Sequence, residues 1–374
     1  MRKRRVPRAS TIWVRTPTAR YPVLVAEDLL RQVGERVRRL RPRCGRLFVV
    51  SSRRVWALWG DELARGVRAA GLRLERLLMN DREGKKRLST VEALAEGLLA
   101  RGADRGTVVA ALGGGVVGDV TGFLAASYMR GVDVVQIPTT LVGQIDSAIG
   151  GKTGVNLRKG KNLVGAFHQP LAVLVDPATL GTLPGREFRA GLYEVIKCAV
   201  IGDPMLFRFL ERRMRAVLAR EGQPLRYVLA RAIRLKARIV SRDEREAGLR
   251  RVLNFGHTIG HALETLSGYR GLRHGEAVGW GMIAATRLAV RLRRLHPLAA
   301  ERIVALVCAV GRLPALPRVS PRRIYEQLFA DKKRDGAALR FVLPRRVGQV
   351  EVSSAVPRAT VLACLRELES HRIG

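Results

Sequence analysis

The stretch TVVAALGGGVVGDVTGF, residues 107–123, decides the fold. Its first half is an apolar run of strand length that ends in three glycines, and its second half continues as a helix. Gly113, Gly114 and Gly115 permit a tight turn and let the backbone come close to a bound group, with N–H groups open to a pyrophosphate. The spacing is not GxGxxG, so the turn by itself leaves a plain tight turn and a dinucleotide site both open. The next apolar run, VDVVQIPTT (132–140), ends in Thr139 and Thr140. Two consecutive strands then bring small polar residues to one sheet edge, which favours the dinucleotide.

Outward from that stretch, RLFVVSS (46–52) and LRLERLLM (72–79) read as strands, and residues 55–71 and 89–102 as helices. TIWVRTP and YPVLVA, near the start, read as a paired β opening. Strands alternating with helices predict a parallel sheet covered on both faces, with ligands gathered at the carboxyl ends of its strands. Beyond LAVLVDPATL (171–180) the texture changes. From about Ala190 the pattern is almost wholly helical, broken by one β-like piece, LRFVLPRRVGQVEVSS (339–354). The expectation is a short basic disordered tail (1–10), an α/β Rossmann-like domain (11–182) and a mainly α-helical domain (183–374).

Composition limits the function classes. Sixty-eight Lys and Arg against 32 Asp and Glu give the 374-residue chain a net charge of +36. The arginines are scattered through helical segments, without a helix-turn-helix, zinc-finger or RNP-like motif, and aromatics make up only 5%. That argues against a specific nucleic-acid partner, while a positive field attracts anionic substrates. Cys44, Cys198, Cys308 and Cys364 form no CxxC pair, which fits a reducing cytoplasm. No apolar run is long enough to span a bilayer, and MRKRRVPRAS lacks the apolar core of a signal peptide.

DSAIGGKTGVNLRKGKN (146–162) resembles a phosphate-binding loop at GGKT, but the first glycine of that motif would fall on Asp146. A carboxylate there would face the phosphates, so this is not a nucleoside-triphosphate loop. The helical half offers Glu194 in GLYEVIK, His257 and His261 in LNFGHTIGHALE, and His274 in LRHGEAVGWGM. His257 and His261 share a helix face, yet Thr258 stands where a zinc protease would carry its glutamate. Three histidines within eighteen residues, flanked by small residues, point to a site. One glutamate and two histidines with an open position suit catalytic zinc.

Together these blocks resemble the 3-dehydroquinate synthase family, from YPVLVAEDLL to DKKRDGAALRFVLP. The most specific pieces are GGGVVGDVTGFLAASYMRG, QIPTTLVGQIDSAIGGKTGVN, KGKNLVGAFHQP, DEREAGLRRVLNFGHTIGHALE and HGEAVGWGM. The resemblance implies an N-terminal NAD-binding domain and a C-terminal metal-binding domain of the dehydroquinate synthase-like fold, acting as a homodimer. It implies Glu194, His257 and His274 as ligands of zinc or cobalt, with His261 in the catalytic pocket but outside the ligand set. Arg130, Lys152, Asn162, Lys197, Lys236, Arg250 and Asn254 match positions that hold the carboxylate, hydroxyls and phosphate of an anionic sugar-acid phosphate. Asp146 and Lys161 match positions between cofactor and substrate, and one of Lys332 and Lys333 reaches the phosphate. Gly114, Gly115, Asp119, Thr139 and Thr140, with Lys152, Glu83 and Lys86, correspond to the NAD-binding residues. The implied activity, in the shikimate pathway, converts 3-deoxy-D-arabino-heptulosonate 7-phosphate to 3-dehydroquinate and phosphate. It proceeds through transient oxidation by NAD, β-elimination of phosphate, re-reduction, ring opening and an intramolecular aldol.

The chain departs from the family pattern in two places. Ser52 and Arg54 stand where an acid and an asparagine commonly meet the adenosine ribose, which bears on the choice of NAD over NADP. Leu157 and Arg158 replace a His-Pro pair. Valiolone- and deoxyinosose-type cyclases are the rival reading within the fold, and they differ at the positions of Arg250, Asn254 and His261. A metal-dependent alcohol dehydrogenase would share the glycines and a histidine pair, but not GGKTGVN or KGKN.

Overall fold

The computed structural model describes residues 10–158, 160–268, 271–333 and 339–370. Residues 1–9 of the basic tail lie outside the described residues. The chain divides into two compact units, Met1–Pro184 with Leu225–Arg245, and Gly185–Pro224 with Glu246–Gly374.

The first unit is built on a seven-stranded sheet. Its strands are β1 (Ser10–Arg15), β2 (Arg20–Val25), β3 (Arg46–Ser52), β4 (Arg73–Met79), β5 (Val108–Gly113), β6 (Asp133–Pro138) and β9 (Ala172–Val175). They lie in the order β1-β2-β9-β6-β5-β3-β4. β1 and β2 pair antiparallel as the opening of the sequence suggests, and every other pairing in the sheet is parallel. Alternate residues of the buried strands face opposite ways. Val108, Ala110 and Leu112 pack with α1 (Leu29–Leu40) and α2 (Arg53–Ala69). Val109 and Ala111 pack with α3 (Leu88–Leu99) and α4 (Gly115–Ser127). Helix α2 leads from β3 to β4 on one side, and α4 leads from β5 to β6 on the other. The order therefore reverses between β3 and β5, the place where doubly wound sheets bind ligands.

A hairpin of β7 (Lys152–Leu157) and β8 (Gly160–Phe167) forms a separate two-stranded sheet. It comes from the GGKTGVNLRKGKN stretch, whose sequence suggested a binding loop and not strands. Gly154 opposes Gly165 across the pair, and a Cβ on Gly165 would lie 2.0 Å from Thr153 O, so only glycines allow so close an approach. Helix α7 (Gly222–Arg242) carries most of Leu225–Arg245, so its Lys236 belongs with the first unit. It meets the sheet edge where Arg15 N donates to Ser241 Oγ at 3.0 Å and Arg234 Nη2 to Ser10 Oγ at 3.3 Å.

The second unit contains α5 (Gly185–Gly202), α6 (Pro204–Leu218), α8 (His257–Leu266), α9 (His274–Arg291), α10 (Pro297–Cys308), α11 (Pro321–Lys333) and α12 (Arg358–Ser370). The β-like piece is the hairpin of β10 (Phe341–Arg346) and β11 (Gln349–Ser353). Helix α9 is buried along most of its length. It reaches α5 through Gly275, where a Cβ would lie 1.9 Å from Ala190 O. Near α8 a Cβ on Gly281 would lie 1.8 Å from Gly256 O, and one on Gly260 would lie 2.9 Å from Ala277 O. These glycines let three helices cross at backbone contact, closer than larger side chains permit. Among the described residues no helix is long and apolar enough to cross a membrane.

Candidate active site

In the first unit the residues read as cofactor-facing collect at the carboxyl edge of the sheet. β5 ends at Gly113, and Gly114 caps α4 without a side-chain hydrogen bond over the helix N-terminus. A Cβ on Gly114 would stand 2.9 Å from Thr140 Cγ2. Thr139 N donates to Gly113 O at 2.9 Å, which binds the two strand ends together, and Gly143 N donates to Thr140 Oγ1 at 3.1 Å within the turn that follows. A helix N-terminus with no side-chain cap hydrogen bond, at the point where strand order reverses, fits a dinucleotide phosphate.

Beside it, the buried ammonium of Lys86 donates to Asp119 Oδ2 and to Asn162 Oδ1, each at 2.5 Å. Burial pushes the Asp119 carboxyl up to about 6, against the pull of Lys86. Glu83 accepts from Asn156 Nδ2 at 2.7 Å. Asp146, in the helical turn Gly143–Ser147, pairs with Lys236 of α7. Lys152 is the exposed first residue of β7 and Lys161 a half-buried residue of β8. Ser52 has a local role: its Oγ accepts from Val55 N at 3.3 Å and caps α2, leaving Arg54 exposed in the first turn.

Arg130 stands apart within this unit. It occupies an exposed turn at φ 68 between α4 and β6, before the amino end of β6. Thr139 follows the carboxyl end, about 20 Å of strand away.

In the second unit Glu194, Lys197, His257, His261 and His274 converge from α5, α8 and α9. Glu194 is fully buried, and neither oxygen has a hydrogen bond of acceptable geometry. Lys197 Nζ lies 2.5 Å from its Oε2, one helical turn along α5. Its Oε1 lies 3.6 Å from His257 Nε2 and 3.4 Å from His274 Nε2. The far nitrogens are both engaged. His257 Nδ1 meets Phe255 O at 3.2 Å, and His274 Nδ1 meets Glu264 Oε2 at 3.2 Å. Partners on Nδ1 turn Nε2 into the site and fix the rings, as around histidines that bind metals. Two atoms each about 2.1 Å from a tetrahedral ion are about 3.4 Å apart, so the spacing and the unsatisfied carboxylate fit a divalent cation. His257, His261 and His274 also place ligand atoms within 4.8 Å of one another, with His261 exposed.

The electrostatics agree with that fit. Burial drives the His257 imidazole down to about 3 despite the attraction of Glu194, leaving a neutral ligand. Burial also opposes charge on His274, but the nearby carboxylates of Glu194 and Glu264 win and push it up to about 10. Its side chain is 40% exposed, so solvent screens part of that pull. Although burial opposes its charge, Lys197 holds Glu194 well below the usual carboxylate range. Arg250 is buried and Asn254 Nδ2 donates to Glu246 Oε1 at 3.0 Å, both in the segment before α8. The side chains of Lys332 and Lys333 lie outside the described residues.

Two residues that the sequence left unremarked are built into these clusters. Asn156 bridges Glu83 and the backbone of Asn162. Glu264 follows His257 and His261 at i+7 and i+3, and that helical spacing is a signal of a shared face.

Comparison with known proteins places these clusters in context. Models of the 3-dehydroquinate synthase N-terminal and C-terminal regions match residues 76–190 and 191–334. The 3-dehydroquinate synthase of Koribacter versatilis is 45% identical over 356 residues, 95% of this chain and 97% of the relative. Among solved structures, 2-epi-5-epi-valiolone synthase from Streptomyces hygroscopicus, with NAD+ and Zn2+ bound, has a TM-score of 0.84 at 30% identity. The match covers 94% of this chain and 97% of that one. A 2-deoxy-scyllo-inosose synthase in complex with carbaglucose-6-phosphate, NAD+ and Co2+ has a TM-score of 0.86 at 28% identity, covering 96% and 100%.

Proposed function

The chain belongs to the 3-dehydroquinate synthase family, and we infer that it works as that enzyme. It converts 3-deoxy-D-arabino-heptulosonate 7-phosphate to 3-dehydroquinate and phosphate, a carbon–oxygen lyase step of the shikimate pathway. The observation that carries this is the full-length identity to curated members, joined to a buried glutamate facing two oriented histidines.

When bound, NAD supplies a reversible hydride acceptor, and a zinc or cobalt ion a Lewis acid for the substrate hydroxyl. Glu194, His257 and His274 would hold the ion, because Glu194 Oε1 lies 3.6 and 3.4 Å from Nε2 of the two histidines and His261 is the exposed member. Gly114, Gly115, Thr139 and Thr140 would receive the dinucleotide, with Glu83, Lys86, Asp119, Lys152 and Lys161 around it.

The chain's own groups bind and orient the substrate. In the second unit Lys197, Arg250 and Asn254 present cationic and amide donors, suited to a carboxylate and hydroxyls. In the first, Lys152, Asn162 and the Lys236–Asp146 pair do the same, whereas Arg130, at the opposite edge of the sheet, stays outside that set. One of Lys332 and Lys333 is proposed to reach the phosphate. His261, exposed beside the other two histidines, moves a proton to or from solvent. The four cysteines form no disulfide, which supports work in the cytoplasm. The family resemblance supports a homodimer.

A valiolone- or deoxyinosose-type cyclase is the second reading, favoured by the solved neighbours and disfavoured by the higher identity to dehydroquinate synthases. Product mass separates them. Purified chain with NAD+, a divalent metal and the heptulosonate phosphate should give dehydroquinate and an equal amount of inorganic phosphate. Inertness toward that substrate, with turnover of a seven-carbon sugar 7-phosphate lacking the carboxylate, sinks the assignment.

A further inference from the structure

Asn156 has no role in the site as described, yet its side chain joins two groups that do. It is buried at the fifth position of β7, only 6% exposed. Its Nδ2 donates to Glu83 Oε1 at 2.7 Å, and its Oδ1 accepts from the Asn162 N–H at 2.9 Å. The partners fix the orientation of the amide. A carboxylate accepts and a backbone N–H donates, so a flipped side chain would lose both bonds. The backbone of Asn156 stitches the same segments together, donating to Lys86 O at 2.8 Å and accepting from Arg87 Nη1 at 3.4 Å. Asn162 sits at φ 56, a left-handed conformation that residues with a Cβ enter at a cost. From there its Oδ1 meets the ammonium of Lys86, which also holds Asp119.

We propose that Asn156 is a positioning residue: one end of its amide sets Glu83 for the cofactor, and the other sets Asn162 for the substrate. This rests on the reading that Glu83 faces the dinucleotide and Asn162 the sugar phosphate, and it adds a single residue serving both. The two arms can be separated. Asn156→Asp keeps an oxygen for the Asn162 N–H, but puts a second carboxylate oxygen against Glu83.

The test uses the full chain loaded with metal. It measures the NAD+ dissociation constant, the KM for heptulosonate phosphate at saturating NAD+, and the melting temperature. In Asn156→Ala both binding constants rise, each by about tenfold, as expected for lost hydrogen bonds that place charged or substrate-binding groups. In Asn156→Asp the NAD+ constant rises at least as much, while KM stays within about twofold of the parent. Equal rises of both constants in Asn156→Asp overturn the proposal. So does a fall in melting temperature with neither constant moved, which leaves Asn156 only a brace for the hairpin. Glu83→Ala separates this from the cofactor reading. If that variant binds NAD+ as the parent does, the cofactor reading has failed. If it binds weakly while Asn156→Asp binds normally, the positioning role alone has failed.

Discussion

The first unit presents its proposed cofactor-facing groups at the ends of strands, where Gly113–Gly115, Thr139 and Thr140 offer mostly backbone. The second unit holds Glu194, His257 and His274 on three helices, aimed by bonds to the far side of each ring. The two arrangements respond to mutation differently. A strand-end site depends on what is missing, the Cβ atoms that would fill it, whereas a helix-borne site depends on side chains kept in place by close packing elsewhere.

The largest effect is expected in the second unit. Glu194→Gln removes a buried anion from the proposed ligand set and should lower both metal content and kcat, the latter by about a thousandfold. A variant that keeps its metal and its rate would remove Glu194 from the set. His261→Ala should cut kcat by about a hundredfold, the scale of a lost proton-transfer group, with metal content unchanged by elemental analysis. Metal loss in that variant would make His261 a ligand and redraw the site.

Glycine variants sharpen the comparison. Gly281→Ala places a Cβ 1.8 Å from Gly256 O, so α8 and α9 must move apart. It should destabilise the chain by about 3 kcal/mol, seen in denaturant unfolding. Gly114→Ala meets the end of a threonine side chain at 2.9 Å. It should raise the NAD+ dissociation constant by about tenfold with little change in unfolding, because it obstructs the phosphate cradle and not the core. Interchanged outcomes would contradict the division drawn here.

The smallest effect is on pH. With His274 pushed up to about 10, a metal ion must displace its proton, whereas His257, pushed down to about 3, has none to give. Metal affinity should therefore rise with pH across the neutral range, approaching tenfold per unit. A competing chelator titration that shows no pH dependence would mean that His274 is already neutral.

Much of the fold was legible because its signals are periodic. The strand at 107–113 and the helix after it follow from apolar runs and glycines, and the texture change near Ala190 marks the helical half. The hairpin β7–β8 was not legible. Gly154, Gly165 and the charged residues around them lack strand propensity, and the strands owe their place to close contact with α4, where a Cβ on Gly122 would lie 2.4 Å from Thr153 Cγ2.

The site was legible as a set of residue types and spacings. What the sequence could not supply was the partner of each group. Nothing in the spacing of Lys236 and Asp146, ninety residues apart, announces their pairing. Nor does YMRG reveal that Arg130 lies at the edge of the sheet opposite Thr139.

The central claim is that a hydride-accepting site and a metal site in one chain serve a reaction with no net oxidation. It is tested most directly by following phosphate release and NADH absorbance together, with NAD+ far below the substrate concentration. Many phosphates released for each NAD+, with no accumulation of NADH, is the expected result. NADH rising in step with consumed substrate, without phosphate, would make the chain an ordinary dehydrogenase and contradict the account.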